Sequence, residues 1–229
     1  MSYFGTDGVR GKANEGLTLD MSIKIGQYLG RYYGKEKHAK ILIGKDTRLS
    51  GDMFELGLAA GATSMGAQVY LLGVCPTPAI SYLVRKERFD CGIMVSASHN
   101  PYYDNGIKCF NHNGEKMEEE LLLEVEKYMD GLTDLDLVTG DHIGEYFEWE
   151  DGLEIYMSWL KECVPVDLSG MKILCDLANG SATSTAVETL DSLGATVDAI
   201  NNSPNGININ NKCGSTHPEG LQRMMREGD

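Results

Sequence analysis

Short apolar segments alternate with segments of helical periodicity along the first 130 residues of the chain. Residues 41–43, 68–72 and 91–95 are apolar runs of strand length, and helical spacing of apolar residues separates them. Strands that alternate with helices in this way build a doubly wound α/β sheet. Ligands of such folds lie at the carboxyl ends of the strands, so the loops that follow these runs are the first places to look for function.

The predicted helices carry recognisable start signals. Asp20 is the candidate N-cap of a helix that ends near Gly34. Thr77 is the candidate cap of a second helix, with Pro78 in its first turn. The fold class is therefore α/β, with a doubly wound mixed sheet in the first domain. The other elements predicted there are helices over residues 52–65 and 118–129 and a strand over residues 107–110.

Residues 131–151 break this rhythm, because they show no periodicity and are rich in acidic residues. A linker or an edge hairpin fits them best. The chain then begins a second α/β pattern, which starts with a helix over residues 153–163. Its further elements are strands over 172–177 and 196–200, a helix over 182–193 and a last helix opened by Pro218.

The break divides the chain into two predicted units. We predict a first domain over residues 1–150 and the start of a second α/β domain over residues 151–229. Two strands make a poor sheet, and an open strand edge is a template for pairing with another chain. A homodimer that covers this edge is therefore one expected outcome.

The charge balance limits the ligands that the chain can bind. Lys and Arg number 20 against 34 Asp and Glu, which gives a formal net charge of −14. Such a surface repels nucleic acid and anionic lipid and disfavours both as partners. An anionic small ligand needs a local basic pocket instead. The chain has candidates in separate glycine-bearing turns, and they favour a phosphate-bearing ligand: Arg10, Lys45, Arg48 and Lys108.

The six cysteines are widely scattered and form no C-x-x-C pair. Because no signal peptide is recognisable, this pattern predicts reduced thiols in a cytoplasmic protein. No apolar run approaches the ~20 residues that a membrane-spanning helix needs.

Residues 4–11 form the first polar loop, with the sequence FGTDGVRG. Closely spaced glycines let backbone N–H groups approach an anion, and Arg10 offers a planar fork for phosphate. The loop is not a Walker motif, because Thr6 and Ala13 stand where glycine and serine or threonine are required. A tight turn with a surface arginine explains the same residues.

Residues 44–51 form the second loop, with the sequence GKDTRLSG, between a strand and a helix. Phosphate gains from the free amides at such a helix start. The alternative is structural, with Asp46 paired to Arg48 to hold the loop.

Residues 96–108 form the third loop, with the sequence SASHNPYYDNGIK, after the third apolar run. Ser98 and His99 are sequence neighbours, so their side chains need not face each other and no Ser–His nucleophile dyad is implied. A serine in a rigid loop is suited to hold phosphate as a stable phosphoester. Asn100 is placed to tie the loop internally, and Lys108 supplies positive charge nearby. A polar structural loop is the other explanation.

These loops resemble those of a known family, the α-D-phosphohexomutases. SHNP at residues 98–101, with NGIK at residues 105–108, is similar to that family's phosphoserine loop, a highly specific motif. FGTDGVRG at residues 4–11 and CGSTHPE at residues 213–219 resemble the branch that acts on glucosamine phosphates. GKDTRLSG at residues 44–51 matches the family's first-domain loop, and the resemblance covers the whole chain.

The resemblance implies a reaction and roles for four residues. Ser98 is implied as the phosphoryl carrier, and His99 as a flanking residue that assists positioning or proton transfer. Lys108 and Arg10 are implied as general acid–base or charge-stabilising groups. The implied reaction interconverts glucosamine 6-phosphate and glucosamine 1-phosphate, towards UDP-N-acetylglucosamine and the cell wall. Phosphorylated Ser98 gives its phosphoryl group to the sugar, the bisphosphate turns round, and its other phosphate returns to Ser98.

The resemblance also implies Mg²⁺ as cofactor, with the phosphate on Ser98 as its one ligand from this chain. The family's metal loop, of the form D-G-D-A-D-R, is expected shortly after Asp229. The sugar-recognition loop and a C-terminal phosphate-binding domain are expected beyond it. The chain alone is therefore expected to be inactive, and a longer parent is expected to be the active mutase.

Two alternatives stay open at this point. One is a sister enzyme of the same family that acts on mannose or glucose phosphates. The other is a non-catalytic module that binds sugar phosphates, although a mere binder needs no phosphate carrier such as Ser98 and no Lys108 beside it.

Overall fold

A computed structural model of the protein describes residues 3–6, 8–35 and 38–227. Its strands are β1 (Val9–Lys12), β2 (Lys40–Lys45), β3 (Gln68–Val74), β4 (Cys91–Val95), β5 (Asp104–Asn111), β6 (Tyr146–Glu148), β7 (Lys172–Asp176) and β8 (Thr196–Ile200). Its α-helices are α1 (Leu19–Tyr33), α2 (Gly51–Thr63), α3 (Thr77–Lys86), α4 (Glu119–Met129), α5 (Gly152–Cys163), α6 (Ala186–Ser192) and α7 (Glu219–Glu227).

Within the described residues, six strands form one mixed sheet in the order β1-β5-β4-β2-β3-β6. β2 pairs parallel with β3 and β4, and β6 pairs parallel with β3. β5 returns antiparallel beside β4 and also pairs antiparallel with β1. The predicted doubly wound mixed sheet is thus confirmed. The loops that follow β2, β3 and β4 lie at the same edge of the sheet, because these strands are parallel.

The sheet has a helical layer on each face. Residues of β2 and β4 alternate between the two faces, as the pleat of a strand requires. Ile43 and Ile93 pack against α1, α2 and α4, whereas Leu42 and Met94 pack against α3 and α5. Burying both faces explains why these strands are almost continuously apolar.

Glycines bring α1 and α2 into backbone contact. A Cβ atom on Gly26 of α1 would lie 2.2 Å from the carbonyl oxygen of Leu58, and one on Gly61 of α2 would lie 2.1 Å from that of Ile23. Neither distance is compatible with a side chain, so the spacing of the two helices depends on these glycines. The helix pair in turn covers the sheet beside β2.

Two predicted helix caps need correction. α1 begins one residue before Asp20, and its cap is Thr18, whose hydroxyl oxygen accepts a hydrogen bond from the Met21 amide at 3.3 Å. Asp20 lies in the first turn instead, where its negative charge interacts favourably with the helix dipole. α3 begins at Thr77 itself, with Pro76 as the extended residue before it, so Thr77 is not the cap.

The acidic stretch over residues 131–151 contributes an edge strand to the first sheet. β6 pairs in parallel with β3, so the expected hairpin is wrong and a parallel edge strand takes its place. α5, which follows, packs on α3, and the rings of Tyr82 and Trp159 stack with centroids 4.1 Å apart. The division of domains at residues 150 and 151 stays a prediction, with α5 in contact with the first sheet.

The second unit is small. In the part of the chain that the structure describes, its sheet consists of β7 and β8, paired in parallel. A 3-10 turn at Ser181–Ser184 and the short α6 replace the single helix expected over residues 182–193. Homodimer formation through this sheet stays a prediction. None of the described helices combines the length and the apolar character that spanning a membrane demands.

We predict that Gly61→Ala destabilises the fold despite the higher helix propensity of alanine. The new Cβ meets the backbone of α1, and overpacking of this kind costs about 1–3 kcal/mol. Urea denaturation should therefore show a lower free energy of unfolding. The control is Gly220→Ala in α7, where an added Cβ would meet no atom of the described residues within 4 Å beyond its own chain neighbours and helix backbone. Equal stability of the two variants would contradict the close-packing argument.

Candidate functional site

Ser98 is exposed in the loop between β4 and β5. All five residues of β4 are buried, so the loop begins from a firmly anchored strand. Ser98 has φ +57°, in the left-handed region, which costs a residue with a side chain about 1–2 kcal/mol. Such a backbone conformation persists only where surrounding contacts hold it.

Ser96 is buried and anchors the start of the loop through two hydrogen bonds. Its hydroxyl donates to a carboxylate oxygen of Asp46 at 2.6 Å, and its oxygen accepts from the Ser98 amide at 3.1 Å. Asn100 ties the far side, since its side-chain amide donates to Asp104 at 3.0 Å. The expectation that Asn100 ties the loop internally is confirmed.

Arg48 lies beneath the loop with its side chain fully buried. Its guanidinium donates to the carbonyl oxygens of Ser98 at 2.9 Å, Asn100 at 3.0 Å and Pro101 at 2.7 Å. Its Nε atom pairs with Asp46 at 3.1 Å. The structural explanation of the second loop is therefore confirmed. The guanidinium of Arg48 is used on the backbone of the third loop rather than on a phosphate.

Burial sets the protonation behaviour of this ion pair. It raises the pKa of the Asp46 carboxyl, although Arg48 and the Ser96 hydroxyl oppose the shift. It also lowers the pKa of the Arg48 guanidinium, against the attraction of Asp46. Such a pair is retained because each member has several hydrogen bonds, and removing either one leaves a buried charge.

Lys45 is likewise committed to acidic partners. Its ammonium lies 2.8 Å from Asp52 and forms a short ion pair with the buried Glu55. Burial lowers the pKa of Lys45, but the hydrogen bonds to the two acids outweigh this and leave it raised. Two of the four predicted cations, Lys45 and Arg48, therefore serve the fold.

Arg10 and Lys108 share one face of the sheet. Arg10 lies in β1 opposite Gly106 of β5, while the neighbouring pair Val9 and Ile107 is buried on the other face. Side chains alternate along a strand, so Arg10 and Lys108 project to the same side as diagonal neighbours. They flank the Ser98 loop, because the Ser96 amide donates to the Gly106 carbonyl at 2.9 Å.

The first loop contains a tight turn followed by the start of a strand. The Gly5 amide donates to the Gly8 carbonyl at 3.0 Å, and residues 9–12 form β1, so Arg10 projects from a strand rather than from the turn. Asp7 of the motif lies outside the described residues. Gly8 has φ +93°, and a Cβ there would lie 2.2 Å from the Ile107 carbonyl oxygen, so glycine lets this segment approach β5.

A cavity of about 440 Å³ opens beside Lys108. A second cation, Lys116, also lines the cavity, and no sequence motif indicates its position there. The volume suits a small ligand, and the two ammonium groups favour an anionic one. Other residues that line the cavity are Phe4, Thr6, Gly8, Thr77, Cys109, Phe110 and Leu122.

His99 is exposed beside Ser98, and its Nδ1 atom lies 3.5 Å from the Ser98 hydroxyl oxygen. This distance is at the limit of a hydrogen bond and does not make an activated serine. Across residues 3–6, 8–35 and 38–227, no three His, Cys, Asp or Glu side chains are grouped to hold a metal ion.

Asn210 of the second unit also reaches the loop. Its side-chain amide donates to the carbonyl oxygens of Ser98 at 2.9 Å and Asn100 at 3.0 Å. The amino-acid sequence does not indicate this contact. Asn210 stands in an asparagine-rich stretch that indicates only turns, and 112 residues separate it from Ser98.

A protein-family model described as phosphoglucomutase/phosphomannomutase, alpha/beta/alpha domain I, matches residues 1–135. Among curated proteins, the phosphoglucosamine mutase of Lachnospira eligens is 51% identical over 228 residues, which cover 98% of this chain and 51% of that protein. The chain thus spans about half the length of the curated relatives it matches.

Solved structures share the fold. A phosphoglucomutase/phosphomannomutase family protein from Burkholderia thailandensis aligns with a TM-score of 0.81 at 24% identity, over 99% of this chain and 49% of that one. An N-acetylphosphoglucosamine mutase from Aspergillus fumigatus, in complex with GlcNAc-6P and magnesium, aligns with a TM-score of 0.56 at 16% identity. That alignment covers 96% of this chain and 45% of the other.

We predict that Arg48→Met lowers the free energy of unfolding by about 3–5 kcal/mol, because it leaves Asp46 buried without its cation. Urea denaturation measures the change. Arg85→Met is the control, since Arg85 is exposed on α3 and its loss should change stability by no more than about 0.5 kcal/mol. A similar small effect for Arg48→Met would show that the buried pair does not hold the site.

Proposed function

The chain belongs to the phosphoglucomutase/phosphomannomutase family, and we propose that it carries the phosphoserine-bearing part of a phosphoglucosamine mutase. The observation that carries the proposal is the presentation of Ser98. It is exposed on a loop whose backbone is held from beneath by Arg48, next to the sheet face that bears Arg10 and Lys108. Phosphoryl transfer depends on positioning and charge neutralisation, and this arrangement supplies both.

Each half of the proposed reaction exchanges one phosphorus–oxygen bond for another. The bond between phosphorus and the Ser98 oxygen breaks as phosphorus bonds to a sugar hydroxyl oxygen. The hydroxyl proton passes to a base, and the departing Ser98 oxygen takes up a proton. Lys108 is the proposed acid–base group, Arg10 stabilises the phosphoryl oxygens, and His99 positions the phosphate. After the bisphosphate turns round, the same exchange in reverse returns a phosphate to Ser98.

Mg²⁺ is the proposed cofactor. A bound Mg²⁺ supplies charge neutralisation for phosphoryl transfer. The described residues do not fit an all-protein magnesium site, because they contain no group of three acidic, histidine or cysteine ligands. The phosphate on Ser98 is the one ligand proposed from this chain, and no step here depends on the metal. The solved Aspergillus fumigatus relative in complex with magnesium supports this choice.

The proposed substrate is glucosamine phosphate rather than mannose or glucose phosphate. The support is the 51% identity to a phosphoglucosamine mutase across nearly the whole chain. A non-catalytic binding module is the second candidate, and the left-handed exposed serine speaks against it, because a binder needs no strained carrier residue. The scattered, unpaired cysteines favour a reducing compartment, and we propose the cytoplasm.

We predict that Ser98 is the residue phosphorylated when a fusion of this chain to the half of the Lachnospira eligens enzyme that it does not match is incubated with glucosamine 1,6-bisphosphate and Mg²⁺. Its side chain is exposed, whereas Ser96 is buried and bonded to Asp46. Phosphopeptide mapping by mass spectrometry locates the phosphate, and Ser98→Ala should abolish it. Phosphate on Ser96, or none on the unsubstituted fusion, would overturn the proposed function.

We predict that Lys108→Ala lowers interconversion of glucosamine phosphates by roughly 10²-fold, the usual scale for a positioned acid–base group. The assay uses a fusion of this chain to the half of the Lachnospira eligens enzyme that it does not match. Lys12→Ala is the matched control, because Lys12 also lies in the sheet but pairs with Glu15 at the surface. Near-normal turnover of the Lys108 variant, with an unchanged melting temperature, would exclude the role.

A further inference from the structure

The carbonyl groups of Ser98 and Asn100 each receive two donors. Arg48 of the first unit donates to both from beneath the loop, at 2.9 and 3.0 Å. Asn210 of the second unit donates to the same two oxygens, also at 2.9 and 3.0 Å. A carbonyl oxygen has two lone pairs, so both are fully used by these donors. The loop is thus held between the two units.

These bonds hold the backbone that carries the Ser98 side chain. Ser98 has a left-handed backbone, and the backbone torsions set the direction of its Cα–Cβ bond. A carbonyl fixed by two donors cannot rotate without losing both bonds. The double contact therefore offsets the cost of the strained conformation at the residue that carries the phosphate.

Asn210 is itself well anchored. Its backbone N–H donates to the Ala178 carbonyl at 2.9 Å, and the preceding residue, Ile209, is buried. Its own φ is +57°, a conformation that asparagine tolerates better than most residues. A side chain on an anchored backbone is suited to hold another group in position.

Two further contacts join the units on either side of Asn210. The Leu49 amide donates to the Gly206 carbonyl at 2.8 Å, and the Thr47 hydroxyl donates to the Asn179 carbonyl. Asn210 is therefore part of a continuous seam along the loops after β2 and β4, and not an isolated surface contact.

We propose that Asn210 is a positioning residue for phosphoryl transfer at Ser98. It acts through the Ser98 and Asn100 carbonyls and touches neither the phosphate nor the sugar. The inference rests on the proposed function, since it concerns the same serine. A displacement of a reacting group by about 1 Å can cost as much as ~10²-fold in rate, which is why a backbone clamp matters.

The test uses the full chain and two substitutions that respect the left-handed backbone. Asn210→Gly removes the donor while glycine accepts φ +57° without strain. Asn210→Asp keeps the shape and replaces the donor by a carboxylate, which repels the two carbonyls. The matched control is Asn201→Gly, because Asn201 also has positive φ, and its side chain donates to Asp176 at 2.9 Å inside the second unit.

Hydrogen exchange followed by mass spectrometry gives the first readout. Both Asn210 variants should exchange faster than the parent chain over residues 98–104, and Asn201→Gly should not. Unchanged exchange of this loop in both Asn210 variants would overturn the positioning role, whatever the chain's activity.

Phosphorylation of Ser98 by glucosamine 1,6-bisphosphate with Mg²⁺, in the fusion of this chain to the half of the Lachnospira eligens enzyme that it does not match, gives the second readout. The Asn210 variants should lose about 10-fold in the first-order rate, with the half-saturating concentration unchanged within about twofold. An equal loss in Asn201→Gly would show a merely structural effect and overturn the inference. If the unsubstituted fusion takes up no phosphate, the proposed function fails, and with it the part of the inference that concerns transfer. The exchange data still decide whether Asn210 holds the loop.

Discussion

The buried ion pair between Asp46 and Arg48 is the interaction on which the site depends. The pair lies at the end of β2, and Arg48 extends beneath the loop that follows β4. It therefore connects the carboxyl ends of two adjacent parallel strands. Asp46 accepts the Ser96 hydroxyl, and Arg48 donates to three carbonyl groups of the loop. A pair of charges buried without these bonds would cost more than it gains. The polar groups of the loop and the ion pair therefore stabilise one another.

The fold followed from the sequence where periodicity was strong. Apolar runs and helical spacing located β2, β3 and β4, and the parallel sheet explains their apolar character. β1 escaped prediction because its four residues, VRGK, contain one buried apolar side chain and acquire strand structure only by pairing with β5. The cap of α1 was misplaced by two residues, since Thr18 and Asp20 are both acceptable caps and only the hydrogen bond decides.

The site was predicted less completely than the fold, for a physical reason. An arginine in a glycine-bearing loop has the same sequence signature whether it binds phosphate or backbone. The structure answers this question for Arg48, which is fully buried and donates to backbone carbonyl groups. Arg10 and Lys108 lie on one face of the sheet beside the loop. No sequence pattern predicts the contact of Asn210 with the loop, because side-chain hydrogen bonds to carbonyl oxygens leave no pattern in a sequence. The roles of Ser98, His99, Arg10 and Lys108 remain proposals.

The separation along the chain of the parts that meet at Ser98 has a consequence for folding order. β1 joins β5 through Val9 and Ile107, and Asn210 meets Ser98 across 112 residues. Contacts between distant residues carry a loop-closure entropy that local contacts do not, so they form late. The neighbouring helices α1 and α2 are much closer in sequence and pack early by this reasoning. We therefore expect the strained serine to acquire its final backbone conformation among the last events of folding, after the core beneath it is already in place.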